Sequence, residues 1–361
     1  MDQYKDIVFA VDYHDQQLEV RQLDRQTGEE SRFMLATDPA AMGEVIEPAR
    51  SIAAARGGRV VWLMESTTGW ARVKALLGDR AKLVTANVLA MPRAPRSRRK
   101  KTDKLDARRL LQWYCREELV EAYQPDESMR RRRRLARLRE DLVRRRTQLS
   151  NTINRYLAHE TWFERPNLGT KIGRRRVRSM CEALHEDDAW FIQTKLDELE
   201  QLATRVKEAE QRIEQACTDW PAARQLDQIK GIGPVTAFST LARVGEVRRF
   251  ADADALVAYA GLAPATYQSA DNVRHGHLAP PGTDKRLRHY VLEAAIWAAK
   301  VPRYQPTYER VCRRRGSKIA RLVVARRLLR SIYQMLTMNV AFDPGRSGAT
   351  QAQPDKELAI A

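Results

Sequence analysis

The sequence predicts an α/β domain at the N-terminus, a long helical coiled-coil arm in the middle and a mostly α domain towards the C-terminus. Three observations predict it. Strand and helix patterns alternate over the first 90 residues. Two later stretches repeat apolar residues at three-, four- and seven-residue steps. After Pro221 short apolar segments are punctuated by Gly and Pro. These patterns divide the 361 residues into 1–127, 128–220, 221–340 and a disordered tail at 341–361.

The elements follow in order. "DIVFAVDYHDQQLEVRQLD" and "RFMLAT" read as three strands joined by polar turns. Thr37 or Asp38 can cap a helix over 39–56, which Gly57 and Gly58 end. "RVVWLME" is a short buried strand, Gly69 to Leu77 a helix, and "AKLVTAN" a further strand, so a mixed sheet covered by helices is expected. "TDKLDARRLLQWYC" starts another helix. In the arm, Leu135, Leu138, Leu142, Leu149, Ile153 and Leu157 mark one long helix. Leu196, Leu199, Leu202, Val206, Ala209, Ile213 and Ala216 mark a second. A polar, Gly-containing segment joins them. The spacing alone suits a dimerising coiled coil and two ordinary bundle helices about equally.

The net charge is +18, and it is unevenly spread. Residues 1–90 hold 11 Lys/Arg against 13 Asp/Glu; the remainder holds 53 against 33. Such an excess argues about partners, with nucleic acid first. It is carried by "PRSRRKK", "MRRRRRLARLRE", "GRRRVRS" and "CRRRGSKIARLVVARRLLR", read as backbone-binding stretches, with Trp113, Tyr114, Trp162 and Phe163 available to stack on bases or to pack a core. The four cysteines show no metal-ligand spacing, and no apolar run approaches the roughly 20 residues of a membrane span. Reduced thiols, no membrane partner and a cytoplasmic, nucleoid-associated location are expected.

The acidic residues stand out against this background. Asp12 ends the first apolar strand and Glu65 ends "VVWLME". Asp103 and Asp106 are three apart at a helix start and share a face. Taken singly, each is a turn or capping residue. Together, four carboxylates at one sheet edge would repel unless a hard divalent ion such as Mg²⁺ lay among them. "IKGIGPVTA" places Gly231 and Gly233 before a helix, the pattern of a helix-hairpin-helix phosphate contact or of a simple tight turn. Ser269 stands in "YAGLAPATYQSADN", a polar segment expected to be flexible and to expose its hydroxyl, with His275 and His277 close behind.

"FAVDYH", "MESTTGW" and "KTDKLDARRL", followed by "LDQIKGIGPVTAFSTLARVG" and the "YAGLAPATYQSADN" region, resemble the bridge-RNA-guided DEDD/serine insertion-sequence transposases over nearly the whole chain. The resemblance implies a ribonuclease-H-like (RuvC-like) fold for the N-terminal domain. It assigns Asp12, Glu65, Asp103 and Asp106 to a DEDD tetrad holding Mg²⁺ and Ser269 to a nucleophile that forms a transient phosphoserine link to DNA. It also implies donor and target double-stranded DNA, a structured non-coding RNA, and a homo-oligomer of dimers assembling into a tetramer. Two other readings stay open from the residues: a metal-dependent nuclease or junction resolvase that activates water, and a non-catalytic nucleic-acid binder.

Overall fold

A computed structural model of the chain describes residues 3–67, 69–91, 103–159, 166–263, 266–269, 272–275 and 282–345, with Asp103, Asp106 and Ser269 placed by their backbone. The basic run at 95–101, Trp162, Phe163, His277 and residues 346–361 of the expected tail lie outside the described residues. The chain forms two compact units, Met1–Gln124 and Pro125–Ala361.

In the first unit the strands β1 (Ile7–Tyr13), β2 (Gln17–Asp24) and β3 (Glu30–Ala36) form an antiparallel meander, and β4 (Val60–Glu65) and β5 (Lys82–Ala86) add in parallel to give the order β3-β2-β1-β4-β5. The central strands "IVFAV" and "VVWLM" are apolar at every position because both faces are covered, which period-two alternation would not allow. Helices α1 (Pro39–Ala55) and α2 (Trp70–Leu77) supply Met42, Ile46, Val73 and Leu77 to one face, against Phe9, Val11, Trp62 and Met64. On the other face α3 (Asp103–Cys115) packs Ala107, Leu110 and Leu111 on Val8, Ala10, Val61 and Leu63. Asp38 caps α1 by accepting from the N–H groups of Ala40 and Ala41, with Pro39 in the first turn, as expected from its sequence.

The second unit begins with α4 (Glu127–His159), 33 residues long, and α6 (Glu186–Thr218), also 33. They run antiparallel: Arg139 bridges Glu210 at 2.6 Å near one end, and the Tyr156 hydroxyl donates to Asp188 towards the other. Those ties are 17 positions apart on α4, about 25 Å along the axis. The connection is not the plain polar segment expected. It contains α5 (Lys171–Met180), capped by Thr170 and closed over Ile153, Leu157, Val177, Ile192, Leu196 and Leu199. Gly173 permits this, since a Cβ there would stand 2.0 Å from the Asn167 carbonyl oxygen. Leu138, expected in the apolar stripe, is exposed.

The bases of α4 and α6 enter the same core as α7 (Pro221–Asp227), α8 (Pro234–Val244), α9 (Ala253–Tyr259), α10 (Lys285–Ala298), α11 (Gln305–Arg315) and α12 (Ser317–Met338), through Ala136, Ile213 and Cys217. Polar bonds fix the root of α4. Arg133 donates to the last carbonyls of α8, at Ala242 (2.7 Å) and Arg243 (3.2 Å). Glu140 accepts from Tyr290 and from Arg286, each at 3.0 Å. The expected tail starts late: Phe342 packs against the core, and Arg303 donates to the carbonyls of Asp343 and Pro344.

Asp24, the last residue of β2, is tied to the C-terminal end of α1 through Arg56, 2.9 Å away. Burial pushes its carboxyl upward, but the bonds from Arg56 and from the N–H groups of Gln26 and Thr27 prevail and hold it below the ordinary 3.8. A carboxyl with a lowered folded pKa stabilises fully above its unfolded value and loses that contribution as pH falls through the folded one. Asp24→Asn should therefore lower the melting temperature at neutral pH and flatten the loss of stability below about pH 4, measured by thermal melting across pH.

Candidate active site

The parallel register of β1 and β4 pairs Ala10 with Leu63 and Val11 with Met64, so the next positions, Asp12 and Glu65, lie side by side at the carboxyl ends of adjacent strands. Val11 and Met64 belong to the face under α1 and α2, whereas Ala10 and Leu63 lie under α3. Alternation therefore puts positions 12 and 65 on the α3 face. Topology brings the two acids together across 53 positions of sequence, and both side chains are half-buried.

Helix α3 runs against β1. Its last turn lies at the amino ends of the strands: the Arg25 guanidinium sits 5.6 Å from the Tyr114 ring centre, and Tyr114 feels Asp6 and Arg59, which precede β1 and β4. Burial, reinforced by Asp6, raises the Tyr114 phenol. With the last turn at the amino edge and Ala107 and Leu110 over the middle, the first turn lies towards the carboxyl edge that carries Asp12 and Glu65. Positions 103 and 106 are one turn before Ala107 and Leu110 along the helix. The backbone thus brings two strand ends and one helix start towards one edge of the sheet. Among the described side chains, which leave out those of Asp103 and Asp106, no three His, Cys, Asp or Glu come together as a metal-holding group.

The edge is braced from its own loops. Arg72 of α2 donates to the carbonyls of Asp15 (3.4 Å) and Thr37 (3.3 Å). Gly69 of "MESTTGW" lets the Tyr13 ring close on the turn after Glu65, because a Cβ there would stand 2.1 Å from that ring. His14 Nε2 lies 3.8 Å from Asp12. A fifth carboxylate escaped sequence reasoning. Glu19, directly opposite Asp12 across β1 and β2 and 7 % exposed, is held by Arg32 at 2.8 Å. Its signal is a charged residue alternating with Leu18 and Val20 in a strand whose partner carries an arginine.

Ser269 lies in the second unit and is not in a loop. It ends β6 (Thr266–Ser269) and pairs with Asn272 of β7 (Asn272–His275), with His275 opposite Thr266 at the other end of the ladder. The β-forming Thr and Tyr of "TYQS" and a two-residue connection favour a hairpin over the expected flexible segment. The described residues on either side of this segment, Leu262 and Asp284, are held by contacts that the sequence did not single out. Buried Arg326 donates to the Leu262 carbonyl at 2.5 Å. Asp284 caps α10 through the N–H groups of Arg286 and Leu287, accepts from Arg243 (2.8 Å) and the Tyr259 hydroxyl (3.2 Å), and donates its own N–H to the Tyr259 carbonyl.

The arginine runs divide. In "MRRRRRLARLRE", Arg133 caps α8, Arg132 stacks on Trp220 with its guanidinium 4.0 Å from the ring centre, and Arg139 bridges Glu210, while Arg134 and Arg137 are exposed. In "GRRRVRS", Arg174 is buried and Arg178 bridges Asp197 at 2.6 Å. In the last run Arg326, Arg327 and Arg330 bind within the bundle, and Arg313, Arg314 and Arg315 are exposed. Trp113 and Tyr114 pack on the sheet core. At "IKGIGPVTA", Gly231 has φ +95° and a Cβ there would meet Trp297 at 2.5 Å, so that glycine serves packing. Gly233 faces open space before the α8 N-terminus.

Two family models match the chain in order. An IS110-type DEDD transposase model covers residues 9–160, and the model described as "Transposase IS116/IS110/IS902 family" covers 223–311. The chain is similar to the "Probable family 20 transposase" of Pseudomonas aeruginosa, 23 % identical over 222 residues, 58 % of this chain and 64 % of that protein. It is also similar to two proteins of Sinorhizobium fredii. "Putative transposase y4pF/y4sB" is 24 % identical over 79 % of this chain and 73 % of its own length, and "Putative transposase y4rJ" is 31 % identical over 60 % and 59 %. The matched region therefore spans less than two thirds of two of these three relatives.

Asp284 combines a helix cap with a buried partner for Arg243. Asp284→Ala should destabilise the second unit by about 2–5 kcal/mol, since it removes the cap and leaves a guanidinium unpaired. Chemical denaturation would read this, and Asp284→Asn, which keeps the cap, should cost less.

Proposed function

We propose, from the premise that the chain belongs to the IS110 family of transposases, that it cuts and rejoins DNA with Ser269 as nucleophile and with Asp12, Glu65, Asp103 and Asp106 as an Mg²⁺-holding tetrad. The observation that carries this reading is the convergence of Asp12, Glu65 and the start of α3 on one sheet edge. Hard carboxylate oxygens at such an edge suit Mg²⁺, which when bound would neutralise charge on a scissile phosphate.

The chain's own residues then have distinct tasks. The sheet fixes the separation of Asp12 and Glu65 through backbone pairing, so little ordering is left to the side chains. Arg72 and Gly69 keep the flanking turns against that edge. The Ser269 oxygen forms an ester with phosphorus as the bond to the departing strand's oxygen breaks, and the hydroxyl proton ends on that oxygen. Attack by another strand's hydroxyl reverses the exchange, returns the proton to serine and conserves the phosphodiester. No external energy source is required.

The partners in this reading are donor and target DNA and a structured bridge RNA, with protomers pairing into dimers and a tetramer. Its support is the basic excess beyond residue 90 and the exposed arginines of α4 and α11. Target choice then resides in base pairing, outside this chain. Among the described residues no helix is long and apolar enough to cross a membrane.

Incubation with element-end DNA, the flanking non-coding RNA and Mg²⁺ should yield a protein–DNA adduct that survives denaturation. Ser269→Ala should abolish the adduct, and Asp12→Asn should slow its formation by about a hundredfold or more. Cleavage that persists without an adduct in Ser269→Ala would instead favour a nuclease that activates water.

A further inference from the structure

The sheet face that carries Asp12 and Glu65 extends beyond α3. That helix packs on β1, β2 and β4, and the core beneath it takes no residue from β3. The strand registers place Met34, Glu19 and Asp12 in one row across β3, β2 and β1, and Glu65 continues the row on β4. Directly opposed residues share a face, and so do residues two apart, which puts Arg32 on that face as well. The outer end of the row is open: Met34 is 56 % exposed and the Arg32 side chain 40 %. The candidate active site therefore adjoins an uncovered shelf on β3.

Glu19 is buried beside a second acid, Asp12, and such a carboxylate is costly without a cation. Arg21, two positions along the same strand, does not supply it, because it pairs with Glu30 at 2.7 Å. Arg32 does, donating from Nε at 2.8 Å. That bond uses one of the five N–H donors of the guanidinium, and the two terminal nitrogens have no partner among the described residues. A buried anchor on Nε orients the guanidinium plane and leaves its outer fork open, the arrangement that takes a phosphate through two parallel bonds. Arg32 starts two strands, about 10 Å, from β1 and two residues, about 7 Å, from the row of acids. A phosphate on its fork would thus neighbour one held at the acids, and Met34 lies in the row between, open to a sugar or base.

We propose that Arg32, oriented by Glu19, binds a non-scissile phosphate of the DNA strand being cut, within about three phosphates of the bond that breaks. The inference rests on the proposed function and adds a substrate contact to it. Arg32 is the binding residue and Glu19 its positioning residue.

The test is adduct formation by the full chain with guide RNA, Mg²⁺ and a series of element-end DNAs, each carrying one neutral methylphosphonate near the scissile bond. In wild type one such position should raise the half-saturating DNA concentration by roughly tenfold, with the plateau rate kept within about twofold. Arg32→Ala should show the same tenfold rise on unmodified DNA and no further loss at that position, since the two changes remove one contact. Glu19→Gln should give a smaller loss at the same position, and Arg50→Ala, an exposed arginine of the same unit, none. Thermal melting checks the fold. If Arg32→Ala melts early because Glu19 is left unpaired, the double variant Glu19→Gln/Arg32→Ala removes both charges and should lose the same single position. If wild type forms no adduct, the proposed chemistry fails on its own, and fluorescence anisotropy of the same DNAs should still show the coupling to Arg32. No position coupled to Arg32 by either measurement, a lower plateau rate with unchanged half-saturation, or a loss confined to affinity for the guide RNA would overturn the proposal.

Discussion

The parallel pairing of β1 with β4 is the constraint on which the candidate active site depends. A parallel ladder cannot be closed by a tight turn, so the chain must leave the sheet after β3, cross it as α1 and return in register. That crossing sets Val11 beside Met64, and the period-two alternation of each strand then fixes Asp12 and Glu65 on one face. A slip of one residue would turn Asp12 or Glu65 into the hydrophobic layer under α1 and α2. The stacked pair Phe9 and Trp62, 5.2 Å between ring centres and fully buried, lies on the opposite face and resists that slip. Core packing on one side of the sheet thus specifies the geometry of carboxylates on the other.

The N-terminal sheet was legible because its signals are local and strong. "IVFAV" and "VVWLM" lack polar interruptions, Asp38-Pro39 announces a helix start, and the acids at the strand ends coincide with a change from buried to half-buried surroundings. The helix at 103–115 was legible too, but its direction across the sheet was not. That direction rests on contacts of Tyr114 and Cys115 with groups near β1, β2 and β3, which no spacing reveals. Helix α5 was hidden by its composition: five basic residues and a glycine in ten read as a solvated linker, whereas Thr170, Val177 and the close approach at Gly173 make it the lid of a small core. The hairpin at Ser269 was hidden for the opposite reason, since strands of four residues carry too little pattern to stand out from a loop.

Charge was the least faithful guide to position. A run such as 129–140 looks uniform in sequence, yet helical geometry sends its arginines in different directions, some to the bundle and some to solvent. Arg132 and Arg133 face Trp220 and the end of α8, where a guanidinium satisfies carbonyls at a helix C-terminus and covers an aromatic face. Lysine would serve poorly at either place. The net charge of the chain therefore overstates the number of cations open to a partner, although it correctly indicates their sign.

The hairpin that carries Ser269 poses a further physical question, because two paired strands of four residues have little stability of their own. The described residues that flank them are held by the bundle. On one side Arg326, buried in α12, grips the carbonyl of Leu262; on the other Asp284 ties α8, α9 and α10 together through Arg243, Tyr259 and the cap. Arg243 also belongs to the helix end that Arg133 of α4 holds. The root of α4 and Asp284 thus share the last turn of α8 as a common support. Leu262 and Asp284, the described residues on either side of the serine segment, are therefore held independently, one through α12 and one through α8.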